Sequence, residues 1–131
     1  MEKEVREKVL MYRILEARYN SLIKQRELIL QKILEISKTI SSIKELEKSD
    51  EVLFSLGGEA YTIGKVTNKQ KFLVEVGAGI VLEKNKEESI NILSKRKNEL
   101  EKGLKEIESE LQKISQSLQT LARELQKSLG T

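Results

Sequence analysis

The stretch VGAGIV (76–81) is the nearest this chain comes to a chemical signature. A dinucleotide fingerprint uses three glycines between a strand and a helix, so that the backbone can approach a pyrophosphate closely. Here the third glycine is missing and no strand–turn–helix context surrounds the other two, so nucleotide binding is not predicted. The side chains of nucleophilic and acid–base chemistry are equally scarce. The 131 residues include no histidine, no cysteine and one aspartate, Asp50, and no carboxylate falls in a predicted cleft. No catalytic residue, metal site or cofactor is expected, and the chain does not read as an enzyme. What remains is apolar. Val5, Val9, Leu10, Met11 and Ile14 lie near one end, Leu121, Ala122, Leu125 and Leu129 near the other, and a third group alternates through 52–82. The chemistry open to such groups is burial against other apolar surface. Met11 adds a flexible side chain suited to adaptable contacts.

Composition indicates what must position these groups. Charged residues make up 34% of the chain and aromatics 4%, and proline is absent. A compact globule of this length would hold more aromatic area, so long helices are expected instead. Twenty-four Lys/Arg nearly balance 21 Asp/Glu, for a formal charge of +3. Lysines and glutamates interleave as on solvated helix faces, so nucleic acid is not expected as a partner. No apolar run approaches the roughly 18–20 residues of a membrane span, and no signal-peptide pattern opens the chain. No membrane partner is expected, and a cytoplasmic location is the default reading.

Two heptad seams run along the chain. The second comprises Ile90, Leu93, Lys97, Leu100, Leu104, Ile107, Leu111, Ile114, Leu118, Leu121, Leu125 and Ser128, spaced three and four in alternation. The first comprises Val5, Lys8, Tyr12, Leu15, Tyr19, Leu22, Arg26, Ile29, Ile33, Ile36, Ile40 and Ile43. Ten of twelve positions are apolar in each, the pattern of a left-handed coiled coil. Folded back antiparallel, the seams match where residue numbers add to 133, with Ile43 opposite Ile90, Ile36 opposite Lys97 and Val5 opposite Ser128. Each polar seam residue then faces an apolar one, which lets its charged stem snorkel. A shift of one heptad preserves the pattern, so periodicity alone leaves the register open.

Between the arms the period drops to two. Ser49-Asp50 should break the first helix, and Asn85 with Glu88 resembles a capping box opening the second. Strands are expected over 52–56, 60–66, 71–76 and 80–83, with reversals at Gly57-Gly58 and Gly77-Ala78-Gly79. Aligning SLGGEA (55–60) with EVGAGI (75–80) reveals one hairpin written twice, twenty residues apart. A short hairpin is not stable alone and leaves open edges. The insert therefore reads as an assembly element through which several chains close a shared sheet or barrel. The fold class is α+β: a long antiparallel two-helix coiled coil with two β-hairpins between the helices. The predicted division is 1–49 for the first helix, 50–84 for the hairpins and 85–130 for the second helix, within one domain of 1–131.

LGGEAYTIGKV (56–66), VEVGAGIVLEK (74–84) and the helix start EESINIL (87–93) resemble the alpha-type subunits of archaeal prefoldin. The doubled hairpin argues for the alpha type, because the beta type has one. The resemblance implies a heterohexamer of two alpha and four beta subunits. Its hairpins would build a β-barrel platform, and its coiled coils would capture unfolded polypeptide clients without ATP for delivery to a group II chaperonin. Carried onto this chain, assembly falls on Val52, Phe54, Leu56, Tyr61, Ile63, Phe72, Val74, Val76, Ile80 and Leu82. Client capture falls on Val5, Val9, Leu10, Met11, Ile14, Leu121, Ala122, Leu125 and Leu129. A different class of function remains open beside it: a structural coiled-coil scaffold or stalk protein that the hairpins only oligomerise.

Overall fold

A computed structural model describes residues 2–130, so Met1 and Thr131, the two ends of the predicted domain, lie outside the described residues. The chain runs α1 (Glu2–Glu45), β1 (Glu51–Gly57), β2 (Ala60–Lys65), β3 (Phe72–Gly77), β4 (Ile80–Lys84) and α2 (Lys86–Leu129). Each helix has 44 residues, which at 1.5 Å per residue is about 66 Å. The first helix stops four residues short of the predicted end. After a last α-type bond from Leu46 N to Ser42 O, Lys48 N donates to Glu45 O at 2.9 Å, a tighter turn than α. The Ser49 hydroxyl then accepts from Glu51 N at 3.3 Å and donates to Glu51 O at 3.0 Å. The second helix begins with the reciprocal pair expected of a capping box. Glu88 N donates to Asn85 Oδ1 at 2.8 Å, and Asn85 N to Glu88 Oε1 at 3.2 Å.

The chain falls into two compact units. One holds residues up to Lys32 together with those from Leu100 onward, and the other holds Ile33–Glu99. In the first, Leu22, Leu111 and Ile114 form the buried core, with Leu15, Tyr19, Ile23, Ile107 and Leu118 packed against it. Lys8 pairs with Glu124 at 3.4 Å, and Arg18 grips both oxygens of Glu110 at 3.1 and 3.3 Å. The Lys8–Glu124 pair agrees within one residue with the register that sets Leu22 opposite Leu111, which the core cluster shares. In the second unit the helix segments obey the same register, with Lys86 on Glu47 at 2.6 Å. Ile36, Ile43, Val74, Leu93 and Ser89 are buried there. All twelve seam positions of α1 are buried or half-buried, as are eleven of α2. The exception is Ser128, whose hydroxyl bonds back to Glu124 O at 3.0 Å.

Each hairpin is a separate two-stranded antiparallel sheet, β1–β2 and β3–β4. Their registers repeat one another. Pairing slips between Ser55 and Gly57 in one and between Glu75 and Gly77 in the other. Leu56 and Val76 are thereby the extra residues of two equivalent bulges. Glycine takes φ of +89° and +135° at 57 and 77. The first reversal falls one residue later than predicted, and the second lies within the predicted Gly77-Ala78-Gly79. The central turn residues are Gly58-Glu59 and Ala78-Gly79, all with positive φ between 51° and 75°, as a type I′ turn requires.

Candidate binding surfaces

Distance from the seam decides how much of each arm-end residue solvent sees. Val5, Leu121 and Leu125 lie on the seam and are half-buried; Val9 flanks it and is half-buried too. Leu10, Met11, Ile14, Ala122 and Leu129 lie off the seam and stay exposed, Leu129 by 75%. Met11 and Leu121 line one open groove of this unit, Val5 and Leu129 another, and Ala122 and Leu125 line neither. One is lined by Met11, Leu15 and Leu121 with the polar Gln116, Thr120 and Glu124. The other lies between Val5 and Leu129, with Glu2, Arg6 and Ser128 at its rim. Leu10 and Ile14 stand on open helix surface beside them. Apolar centres with charged rims can take up apolar side chains through area burial, but they present no group for covalent chemistry. Among the described residues, no three acidic, His or Cys side chains come together as a metal site would require.

The hairpins carry the second surface. Leu56, Tyr61, Ile80 and Ile63 are between 56% and 70% exposed, and Phe54, Val76 and Leu82 sit near 40%. Val52 and Phe72 are half-buried. Val74 is the exception among the assembly residues named from sequence: at 8% exposure it is already covered within its own chain. Three exposed apolar residues escaped the sequence reading: Leu53, Leu73 and Val81. Strict alternation assigned them to a solvent face. The signal that could have found them was the unbroken apolar triplets VLF (52–54), FLV (72–74) and IVL (80–82), which mark strands with two apolar faces.

The two hairpins are not equivalent in support. The second has Val74 buried, a Lys71–Glu83 ion pair at 3.0 Å, and the Arg96 guanidinium of α2 donating to the Glu75 carbonyl. In the first, Leu53 faces Ile63 across the ladder and both side chains are open. On its other face the Phe54 ring lies over Gly64, where a Cβ would come within 2.7 Å of it. A groove of about 720 Å³ runs beside this hairpin, with an apolar floor of Ile43, Leu46, Val52, Phe54, Val66 and Phe72. Among the described residues no strand pairs with the outer edge of either hairpin, which is the geometry of strand addition. Where the helices meet this unit, Lys86 holds the Glu47 carboxyl below the usual glutamate range, through its hydrogen bond and its charge, with a smaller contribution from Lys69.

Comparison with known proteins finds the same arrangement. The family model described as "Prefoldin subunit" matches residues 15–130. The prefoldin subunit alpha of Archaeoglobus fulgidus is 35% identical over 105 residues, covering 76% of this chain and 75% of that protein. That of Methanococcus maripaludis (strain C5) is 38% identical over 69 residues, covering 53% and 48%. Among solved structures, a chain of the filamentous PFD of Methanocaldococcus jannaschii superposes with a TM-score of 0.74 at 21% identity, covering 86% of this chain and 96% of that one, so the fold is shared. Because the family match takes in most of both helices and both hairpins between them, the chain belongs to the prefoldin family.

Proposed function

We propose that the chain is a subunit of an ATP-independent chaperone that captures non-native polypeptides at the ends of its coiled coil. The observation that carries this reading is the exposure of Leu10, Met11, Ile14 and Leu129 near the arm end. These side chains lie exposed beside a closed seam that cannot bury them. Weak contacts of this kind suit a client that must be released: each apolar side chain offers about 1–2 kcal/mol on burial, and several arms around one client multiply the effect. The exposed hairpins supply the assembly. Beta-type subunits complete an α2β4 hexamer, and a group II chaperonin in the cytoplasm receives the client. Membership in a family of chaperones, rather than enzymes, supports the reading.

The test is aggregation of a chemically denatured protein, followed by light scattering with the chain and a beta-type partner and no ATP. Suppression at near-stoichiometric ratios is expected, and it should fall when residues 1–11 and 122–131 are removed while particle mass stays that of a hexamer. A full assembly without effect would instead leave a scaffold protein.

A further inference from the structure

A second heptad row lies on α1, away from the seam. Leu10, Ile14, Ala17, Ser21, Lys24 and Leu28 are spaced four and three in alternation, and all six are exposed. The row belongs to the same compact unit as the arm-end grooves, and at 1.5 Å per residue it is about 27 Å long. Its contact points recur every 5.3 Å or so, whereas same-face side chains of a strand recur at about 6.7 Å. Over that length an extended segment drifts by a whole contact, so a second helix fits and a strand does not.

Size and charge along the row narrow the occupant. Large side chains stand at both ends, and Ala17 and Ser21 leave a hollow between them. Arg6 and Arg13 flank the row and Lys24 lies within it, and none of the three has an ion-pair partner among the described residues. The acidic residues on this side, Glu7 and Glu27, sit at the two ends. The middle of the row is therefore apolar and cationic.

We infer that this row takes up an amphipathic helix of the non-native client, acidic along its flanks and bulky where it meets Ala17 and Ser21. The client helix then packs on α1 through a second seam opposite the first, and capture discriminates by segment type. This rests on the chaperone reading and adds a substrate class to it. Knobs of the client helix enter holes around Ile14 and Leu28, and its carboxylates answer Arg6 and Arg13.

The experiment uses the full chain assembled with a beta-type subunit and three labelled peptides of about 20 residues, enough to cover the row. One is a Leu/Phe heptad helix flanked by Glu, the second replaces Glu with Lys, and the third rewrites the first composition with a period of two. Fluorescence anisotropy should show the first binding about tenfold more tightly than either other. Higher salt should narrow the acidic–basic difference and leave the period difference standing. Leu28→Glu, away from both arm-end grooves, should remove the preference for the first peptide. Equal binding of the period-two peptide, no binding of the first, or an unchanged preference in Leu28→Glu overturns the inference. Aggregation suppression is measured on the same samples. If it persists while the peptides bind alike, the chaperone reading stands and the helical preference falls; if it is absent, the chaperone reading itself falls.

Discussion

Replacing Leu10, Met11 and Ile14 together by glutamine removes the apolar tip of α1 and keeps its helix, since glutamine is nearly as good a helix former as leucine. The three are 60%, 49% and 55% exposed, which for side chains of about 200 Å² is roughly 330 Å² of surface open to a client. A client covering half of it would gain about 4 kcal/mol at 25 cal/mol per Å². Ordering three flexible side chains takes back about 1–2 kcal/mol, so one arm loses about 2–3 kcal/mol, or roughly 30- to 150-fold in affinity. The assay is the concentration of assembled chaperone that halves light scattering from a denatured protein diluted into buffer, with particle mass checked separately. A shift of at least tenfold at constant mass is expected, smaller than the one-arm value because the other arms still hold. Unchanged suppression by an intact triple mutant would refute the assignment of capture to this surface and move it to the hairpins or the arm flanks.

Leu22→Ala, in the core with Leu111 and Ile114, should cost about 3 kcal/mol of arm stability in a urea titration. Leu28→Ala, at 66% exposure, should cost under about 0.5 kcal/mol; equal costs would contradict the seam. Gly103→Ala meets no atom within 4 Å and should raise stability by about 0.5–1 kcal/mol in the same titration. Leu53→Asp with Ile63→Asp should yield smaller particles of unchanged helicity by sedimentation and circular dichroism, whereas Val74→Asp should unsettle the chain itself, because Val74 is buried before any partner arrives. The Glu47 carboxyl should titrate below an ordinary glutamate by NMR, and Lys86→Met should move it back up. Since folding lowers this pKa, the stabilisation is complete above the ordinary glutamate range and is lost as pH falls through the lowered value.

Periodicity carried most of the fold. Spacing of three and four fixes the side of a helix that a residue occupies, and a capping pair or a glycine turn acts over a few residues, so both seams, the Asn85–Glu88 cap and the doubled hairpin were legible without coordinates. The seam also implied that Val9, Leu10, Met11, Ala122 and Leu129 could not all be buried, and all but the half-buried Val9 are exposed. What opposes a residue is another matter. The register was open to a one-heptad slip until Lys8 met Glu124 and Glu47 met Lys86. Nothing local in VLF or FLV distinguishes Val74, which its own chain covers, from Leu53 and Leu73, which it leaves bare. Alternation states only that neighbouring side chains point apart; whether each meets protein or water depends on segments distant in sequence. The row from Leu10 to Leu28 became visible for the same reason, once the seam had claimed the opposite side of α1 and left those six side chains without a partner helix.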